Sequence, residues 1–598
     1  TSGTTVWTNT GLLKLGTGGA LQNLGTWDVQ GSASIVNLGS AGPFENPLGS
    51  TFKKTAGGGV TTIGVPFQNG GMVSVQSGTV SFEGGSTTTG SIVGGASTTV
   101  QFMGGAHMLA AGSSLTTSTV YVGAGSLTVD GTYSAASSTF LDATVTFHPS
   151  ANVTQMGPLL ISGSASVDLS SGEALEVPRL LFYGGTLTGT DTLTATGLDS
   201  VWAGGTMSGP GTTAIVEGSL SSWAPMDLTG GRILRFPGPN VNYVDWDGAA
   251  PIRLGSGATI ENSTSFRVHS GSILDLGGAG GFRNQEPWGS FRKWGSGACA
   301  VEVPFTNGGF VGADGGTLQF TAGYTQLDGA TSVDATFSAT TPLDIQGGYL
   351  GGMGTVAGSV VSSGAVRPGQ FFGVLTIDGS YTQTAQGTLN VQIGEPPADS
   401  DPNRLVVTGA VALSGTLKVV LANGYVPING DMFTILTAPE IAGSFTTFDV
   451  PRLSGGVGCL AHVEPTQVVL EMAPDTDGDG VADAGDCAPG DTGAKSAPTE
   501  SAHLFFASDK QTLSWDYQGT AGWDTVYDAV SGLVAELPVG GVGEICVLSG
   551  AGSPQLVDET TPEPESCFYY LVRARNVCGV GTYGTTTGGA PRTTAACP

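Results

Sequence analysis

The chain has 598 residues, of which 99 are Gly, 39% are hydrophobic and only 11% are charged. That hydrophobic share excludes a disordered acidic tail, the lack of a Gly-X-Y period excludes collagen, and few charges with many Gly, Thr, Ser and Val fit short strands and tight turns. The net charge of −28, without a Lys/Arg cluster, makes nucleic acid and anionic membranes poor partners and suits extracellular solubility and divalent cations.

No apolar run of about 18 residues occurs, so no transmembrane helix is expected. The chain opens on Thr1 with no signal peptide, as expected of a processed chain. Residues 1–390 form a Gly-punctuated series of alternating runs such as Gly78–Phe82, Ser126–Asp130 and Gly316–Phe320. Apolar side chains two apart share one strand face. Short strands admit a sandwich, a propeller or a solenoid. So long a stretch of one texture predicts a parallel β-solenoid, whose coils bury their faces against one another.

An internal duplication supports this. Residues 49–82 match residues 289–320, with VPFQNGG (Val65–Gly71) repeated as VPFTNGG (Val303–Gly309), and residues 31–42 match residues 271–281. The alignment sets Cys299 on Thr61 and predicts an inward-facing thiol. Lys53 and Lys54 match Arg292 and Lys293; a repeated basic position points to coil structure rather than to a single active site.

Residues 391–472 are expected to cap the solenoid. Gly373–Gly394, Arg404–Thr437 and Gly443–Pro451, together with the VPFxNGG and GTLxF strings, resemble large bacterial secreted β-helical surface proteins, including autotransporter passenger domains. The resemblance implies a right-handed β-helix ended by such a cap. It departs from true autotransporters in carrying no C-terminal membrane barrel.

Residues 473–497 read as a linker with one strong signal. Asp475, Asp477, Asp479, Asp483 and Asp486 occupy positions 1, 3, 5, 9 and 12 of a loop, with Gly480 at 6 and the Val481 carbonyl at 7. That spacing wraps a chain around a hard cation, and calcium is the expected ion. No helical runs flank the loop, and Pro474 and Pro489 bound it. With Cys487 it resembles the calcium loops of thrombospondin type-three repeats, which implies a joint stiffened by calcium.

Residues 498–598 read as an antiparallel sandwich. The alternation Phe568, Tyr570, Val572, Ala574, Asn576 resembles the sixth strand of fibronectin type III modules, and Trp515 resembles their core Trp. Of the seven Cys, Cys546–Cys567 and Cys578–Cys597 are the expected disulfides, with Cys459–Cys487 a third. Zinc is disfavoured, since no CxxC occurs and His503 stands alone.

No GxSxG or HExxH motif accompanies the scattered His residues. Asp245 and Asp247 could share a strand face for sugar cleavage, but a solvated strand end is the favoured reading. Asn152 and Asn262 head glycosylation sequons. The fold class is therefore all-β: a parallel β-solenoid with a capping region, plus a C-terminal sandwich. The expected function is a non-enzymatic extracellular structural protein of the bacterial surface. Both solenoid ends would be open edges, supporting self-association into a fibre or filament. The alternative is a monomeric adhesin binding glycans or other cell-surface components. A polysaccharide-cleaving enzyme ranks third.

Overall fold

The computed structural model describes residues 3–8, 10–221, 223–238, 243–278, 280–369, 373–394, 403–422 and 424–597. It holds a parallel β-solenoid of about 18 turns, with 52% of residues in strands and 1% in helix. The chain divides into two compact units, Thr1–Pro342 and Leu343–Pro598.

In the first unit most coils are built from three short strands. β1 (Thr4–Trp7), β2 (Leu12–Leu15) and β3 (Leu21–Gln22) are followed by β4 (Thr26–Val29), β5 (Ser34–Asn37) and β6 (Phe44–Asn46). Pairing is parallel, with Thr4 opposite Thr26, Leu12 opposite Ser34 and Leu21 opposite Phe44. Alternate residues point inward because the side-chain period of a strand is 2, so Phe52, Val73, Val75, Phe82 and Phe102 are fully buried. Their rings stack from coil to coil, Phe67 to Phe82 at 5.1 Å and Phe82 to Phe102 at 5.8 Å. Each such pair adds about 0.5–1.5 kcal/mol beyond the area it buries.

The duplicated VPFxNGG string marks a structural device. Asn23, Asn46 and Asn69 stack at one corner, each amide donating to the next Asn Oδ1 at 2.9 and 2.8 Å. Asn262, Asn284 and Asn307 repeat the ladder at 2.8 and 2.8 Å. Asn262 is thus a buried rung, whereas Asn152 is exposed. The duplication also reaches further upstream than the strings alone indicate. Trp7, Leu13, Leu15, Leu21 and Asn23 correspond to Trp246, Ile252, Leu254, Ile260 and Asn262, each 239 positions later.

The repeated lysines serve the coil. Lys54 and Lys293 are fully buried. Lys54 Nζ donates to the carbonyls of Gly31 (2.7 Å) and Ala56 (3.2 Å), and Lys293 Nζ to those of His269 (3.2 Å), Gly295 (3.1 Å) and Trp294. Cys299 is buried, and that burial pushes its thiol up to about 12. Between the copies, Thr99–Leu109, Ser114–Val129 and Thr132–Leu141 run on as long strands. There Gly105 and Gly125 stack at φ +72° and +71°, and a Cβ on Gly125 would lie 2.2 Å from the Gly105 carbonyl oxygen. Only glycine fits that turn.

In the second unit the parallel ladder continues to Asp449, through the range expected to be a cap. Thr388–Ile393 pairs with Thr416–Leu421 in parallel, and Lys418 lies opposite Asp449. Both strands keep alternating inward residues, so nothing in them stops the coil. Pairing turns antiparallel where Gln467–Pro474 lies against Met432–Thr437 and Val457–Val463. That hairpin covers the last coil on one side, and the Pro465 carbonyl accepts from the Ile441 amide on another. Of the last coil's three strands the hairpin pairs with Met432–Thr437 alone; Glu440–Gly443 and Thr447–Asp449 pair only with the preceding coil among the described residues.

The C-terminal residues form a three-stranded sheet, Phe505–Phe506, Thr512–Ser514 and Gln555–Val557, and a four-stranded sheet, Ile545–Ala551, Val526–Leu533, Phe568–Asn576 and Gly579–Val580. Trp515 is buried with Leu513, Tyr527, Ala529, Leu556, Val572 and Ala574.

The disulfides are Cys487–Cys578 and Cys546–Cys597, with Cα separations of 5.6 and 4.9 Å. They replace the expected Cys546–Cys567, Cys578–Cys597 and Cys459–Cys487. The strands holding Cys546 and leading from Cys567 flank Val526–Leu533 on opposite sides. Two inter-strand spacings, about 9.5 Å, exceed what a disulfide spans. Cys567 is exposed and free; Cys459 is free and buried, its Sγ 3.9 Å from Met472 Sδ.

Candidate metal centre

The acidic loop leaves the strand Gln467–Pro474, where the Asp475 amide donates to the Gly456 carbonyl at 3.0 Å. Asp475 then accepts from the amides of Gly478 (2.7 Å) and Gly480 (2.8 Å), Asp477 from that of Asp479 (3.1 Å), and Asp479 from that of Val481 (2.8 Å). Each short carboxylate caps the turn after it, a geometry Asp favours. Gly480 sits at φ +103°, and a Cβ there would lie 2.4 Å from the Pro451 carbonyl oxygen. The chain must bend there, and no side chain is tolerated.

These turns bring the carboxylates of Asp475, Asp477 and Asp479 within 4.8 Å of one another. Asp475 and Asp479 are buried, Asp479 completely. One oxygen each of Asp477, Asp479 and Asp486 is buried with no hydrogen-bond partner. Burial first, then the Asp477 and Asp486 charges, pushes the Asp479 carboxyl up to about 6. Burial and the charges of Asp477, Asp475 and Asp483 push Asp486 up as well.

Not every expected ligand converges. Asp483 spends both oxygens on Thr476, accepting from its amide and its hydroxyl at 2.7 Å each, which holds its carboxyl below the usual range. Position 9 is the place where water often intervenes. Val481 forms a parallel bridge with Cys459 and turns its amide toward Asp479. Lys495, which the spacing did not single out, donates its ammonium to the Asp479 carbonyl. It is a lone Lys in an acidic stretch, and nothing local marks its reach.

The loop is tied at both ends. The bridge between Cys459 and Val481 fixes it to the hairpin, and Cys487–Cys578 fixes it to the C-terminal sheets. Asn576 adds hydrogen bonds to the carbonyls of Ser496 (2.8 Å) and Ala521 (2.9 Å).

Elsewhere, Asp245 lies 3.9 Å from Arg267 and Asp247 lies 3.5 Å from His269, while Trp246 points into the core. His107 is buried, bonded to Ser86 Oγ at 2.9 Å and the Gly104 carbonyl at 2.7 Å. Among the described residues no helix is long and apolar enough to cross a membrane. No protein-family model matches the chain, and no curated protein is similar to it.

Proposed function

We propose that this chain is a non-enzymatic, extracellular structural protein of the bacterial surface, a subunit of a fibre or matrix. The observation that carries this reading is a solenoid of about 18 turns whose core is sealed coil upon coil. A fibre that propagates by stacking one end on the other needs complementary ends. Two disulfides support an oxidising compartment. The decisive experiment is protease shaving of intact source cells: the chain is expected to be cleaved, and full protection until lysis overturns the reading.

The acidic loop is proposed to hold calcium, with Asp475, Asp477 and Asp479 as ligands and Asp486 completing the charge. The support is Asp479 Oδ2, an unpartnered oxygen on a fully buried side chain within that cluster. Calcium there would stiffen the joint to a C-terminal module proposed as fibronectin type III-like, on the strength of its three-plus-four antiparallel sheets. Titration calorimetry tests this, and an absence of saturable calcium binding overturns it.

A second reading, glycan adhesion, draws on outward-facing aromatics. Arg267 stacks over Tyr243 at 4.4 Å, and Arg292 over Trp294 at 5.0 Å. Glycan-array binding by the full chain, lost in Tyr243→Ala, would favour it.

A further inference from the structure

The two copies of the duplicated block share their coils but not their outer surface. On one flank of the second copy, Tyr243–Trp246, Ser265–Val268, Ser290–Lys293 and Phe310–Ala313 stack in parallel, with Tyr243 opposite Ser265, Ser265 opposite Ser290 and Ser290 opposite Phe310. Trp246, Phe266, Phe291 and Val311 are buried there, so alternation turns Tyr243, Arg267, Arg292 and Phe310 outward. Trp294 follows as the next outward position after Arg292, and Tyr243 and Trp294 are each 41% exposed. In the first copy the places of Tyr243, Trp294 and Phe310 fall to Thr4, Thr55 and Met72. The same coils, with the same asparagine ladder and the same buried lysine, are thus built there without outward rings. Coil structure does not account for the three rings of the second copy.

Two guanidiniums tie those rings into one surface. Arg267 stacks over Tyr243 at 4.4 Å, and Arg292 lies over both Trp294 (5.0 Å) and Phe310 (5.3 Å). Such contacts hold exposed rings in place, so less freedom is lost when a ligand lands on them. The charges are matched on the spot. Arg292 donates to both oxygens of Asp314, at 2.8 and 2.9 Å, and Asp334 also bears on it. Arg267 lies 3.9 Å from Asp245, and His269 lies 3.5 Å from Asp247. Carboxylates therefore outnumber guanidiniums on this flank, in a chain of net charge −28. A polyanion would meet repulsion there. A neutral sugar would find flat apolar faces for its C–H groups and paired ions whose remaining donors and acceptors suit hydroxyls. Between Tyr243 and Phe310 the column holds only the small hydroxyl side chains of Ser265 and Ser290. Three ladder steps set the two aromatic positions about 14 Å apart, a span that several linked pyranose rings cover.

We propose that this flank binds a neutral polysaccharide that crosses the coils, with sugar rings on Tyr243, Trp294 and Phe310 and hydroxyls toward Ser265, Ser290 and the Arg292–Asp314 pair. The inference rests on the adhesion reading above and names its ligand.

The test is affinity electrophoresis of the full chain in gels holding a neutral polysaccharide (dextran, mannan, galactan or hydroxyethyl cellulose) or an acidic one (polygalacturonate or alginate). At least one neutral gel is expected to slow the chain, and equally at about 0.01 M and about 1 M salt, because no net charge carries the contact. Tyr243→Thr and Trp294→Thr install what the first copy carries. Each should weaken binding about tenfold with the melting temperature unchanged, and Met72→Ala in the first copy should change nothing. Neutral binding that both variants keep, or slowing by acidic gels alone, overturns the inference and leaves the adhesion reading standing. No slowing in any neutral gel overturns it as well, whereas only a blank glycan array removes the adhesion reading.

Discussion

Asn284 and Asp479 are both buried polar side chains, and they differ in what meets them. The Asn284 amide donates to Asn307 Oδ1 (2.8 Å), the Gly289 carbonyl (3.2 Å) and the Phe310 carbonyl (2.9 Å), while its Oδ1 accepts from Asn262 at 2.8 Å. Asp479 has one oxygen held by the Val481 amide and the other unmet. A buried polar group with every valence satisfied specifies a packing. A buried carboxylate left half-satisfied is costly, and a cation removes the cost. The solenoid corner is thus complete in itself, whereas the acidic loop leaves a buried charge that the proposed calcium would meet.

The strongest way to break this contrast is through His107, a satisfied interior group that must stay neutral. Burial pushes its imidazole from 6.5 down to about 4. As pH falls through that window the unfolded chain takes up a proton and the folded chain does not, so stability is lost between about pH 6.5 and pH 4. The full effect is about 3 kcal/mol. Denaturant unfolding of the wild type and His107→Asn across this range should diverge at the acid end; parallel curves would show that the site titrates freely.

Next comes calcium itself. At a free concentration of 100 times Kd it should stabilise the second unit by about 2.7 kcal/mol. The melting temperature followed by fluorescence should rise with calcium in the wild type and stay flat in Asp479→Asn. A response that survives this substitution places the ion elsewhere.

Asn284→Ala strips a rung and leaves its amide and carbonyl partners unmet, at a cost of about 1–3 kcal/mol. Faster hydrogen exchange confined to the coils around residues 262–310 would register it, and Asn46→Ala should do the same in the first copy. The smallest effect belongs to half-buried Lys53, 3.6 Å from Asp28, a buried carboxylate that also accepts from Thr55 and Gln30. Lys53→Ala should shift the unfolding midpoint by less than about 1 kcal/mol, far below the neighbouring buried Lys54.

The coil texture was legible because it is written two residues at a time. Phe52, Phe82, Val301 and Phe320 alternate with polar neighbours, and strand geometry alone sends them inward. The loop was legible for the same reason: Asp475, Asp477 and Asp479 act within a few residues of one another. Legibility stopped at Asp483, which fits the motif by position but is drawn to Thr476, and at Lys495, whose side chain arrives from beyond the motif.

Local pattern therefore determined the class of fold, the inward faces, the glycine corners and the acidic turn. Strand order and long-range packing decided the rest. Cys546 meets Cys597 and not Cys567 because a central strand stands between the strands of the nearer pair. Pairing turns antiparallel at Met432–Thr437 because a hairpin folds back on that strand of the last coil. Alternation reports only which side of a strand is buried; which strand lies beside it depends on contacts between residues far apart in the chain, and no local signal carries that.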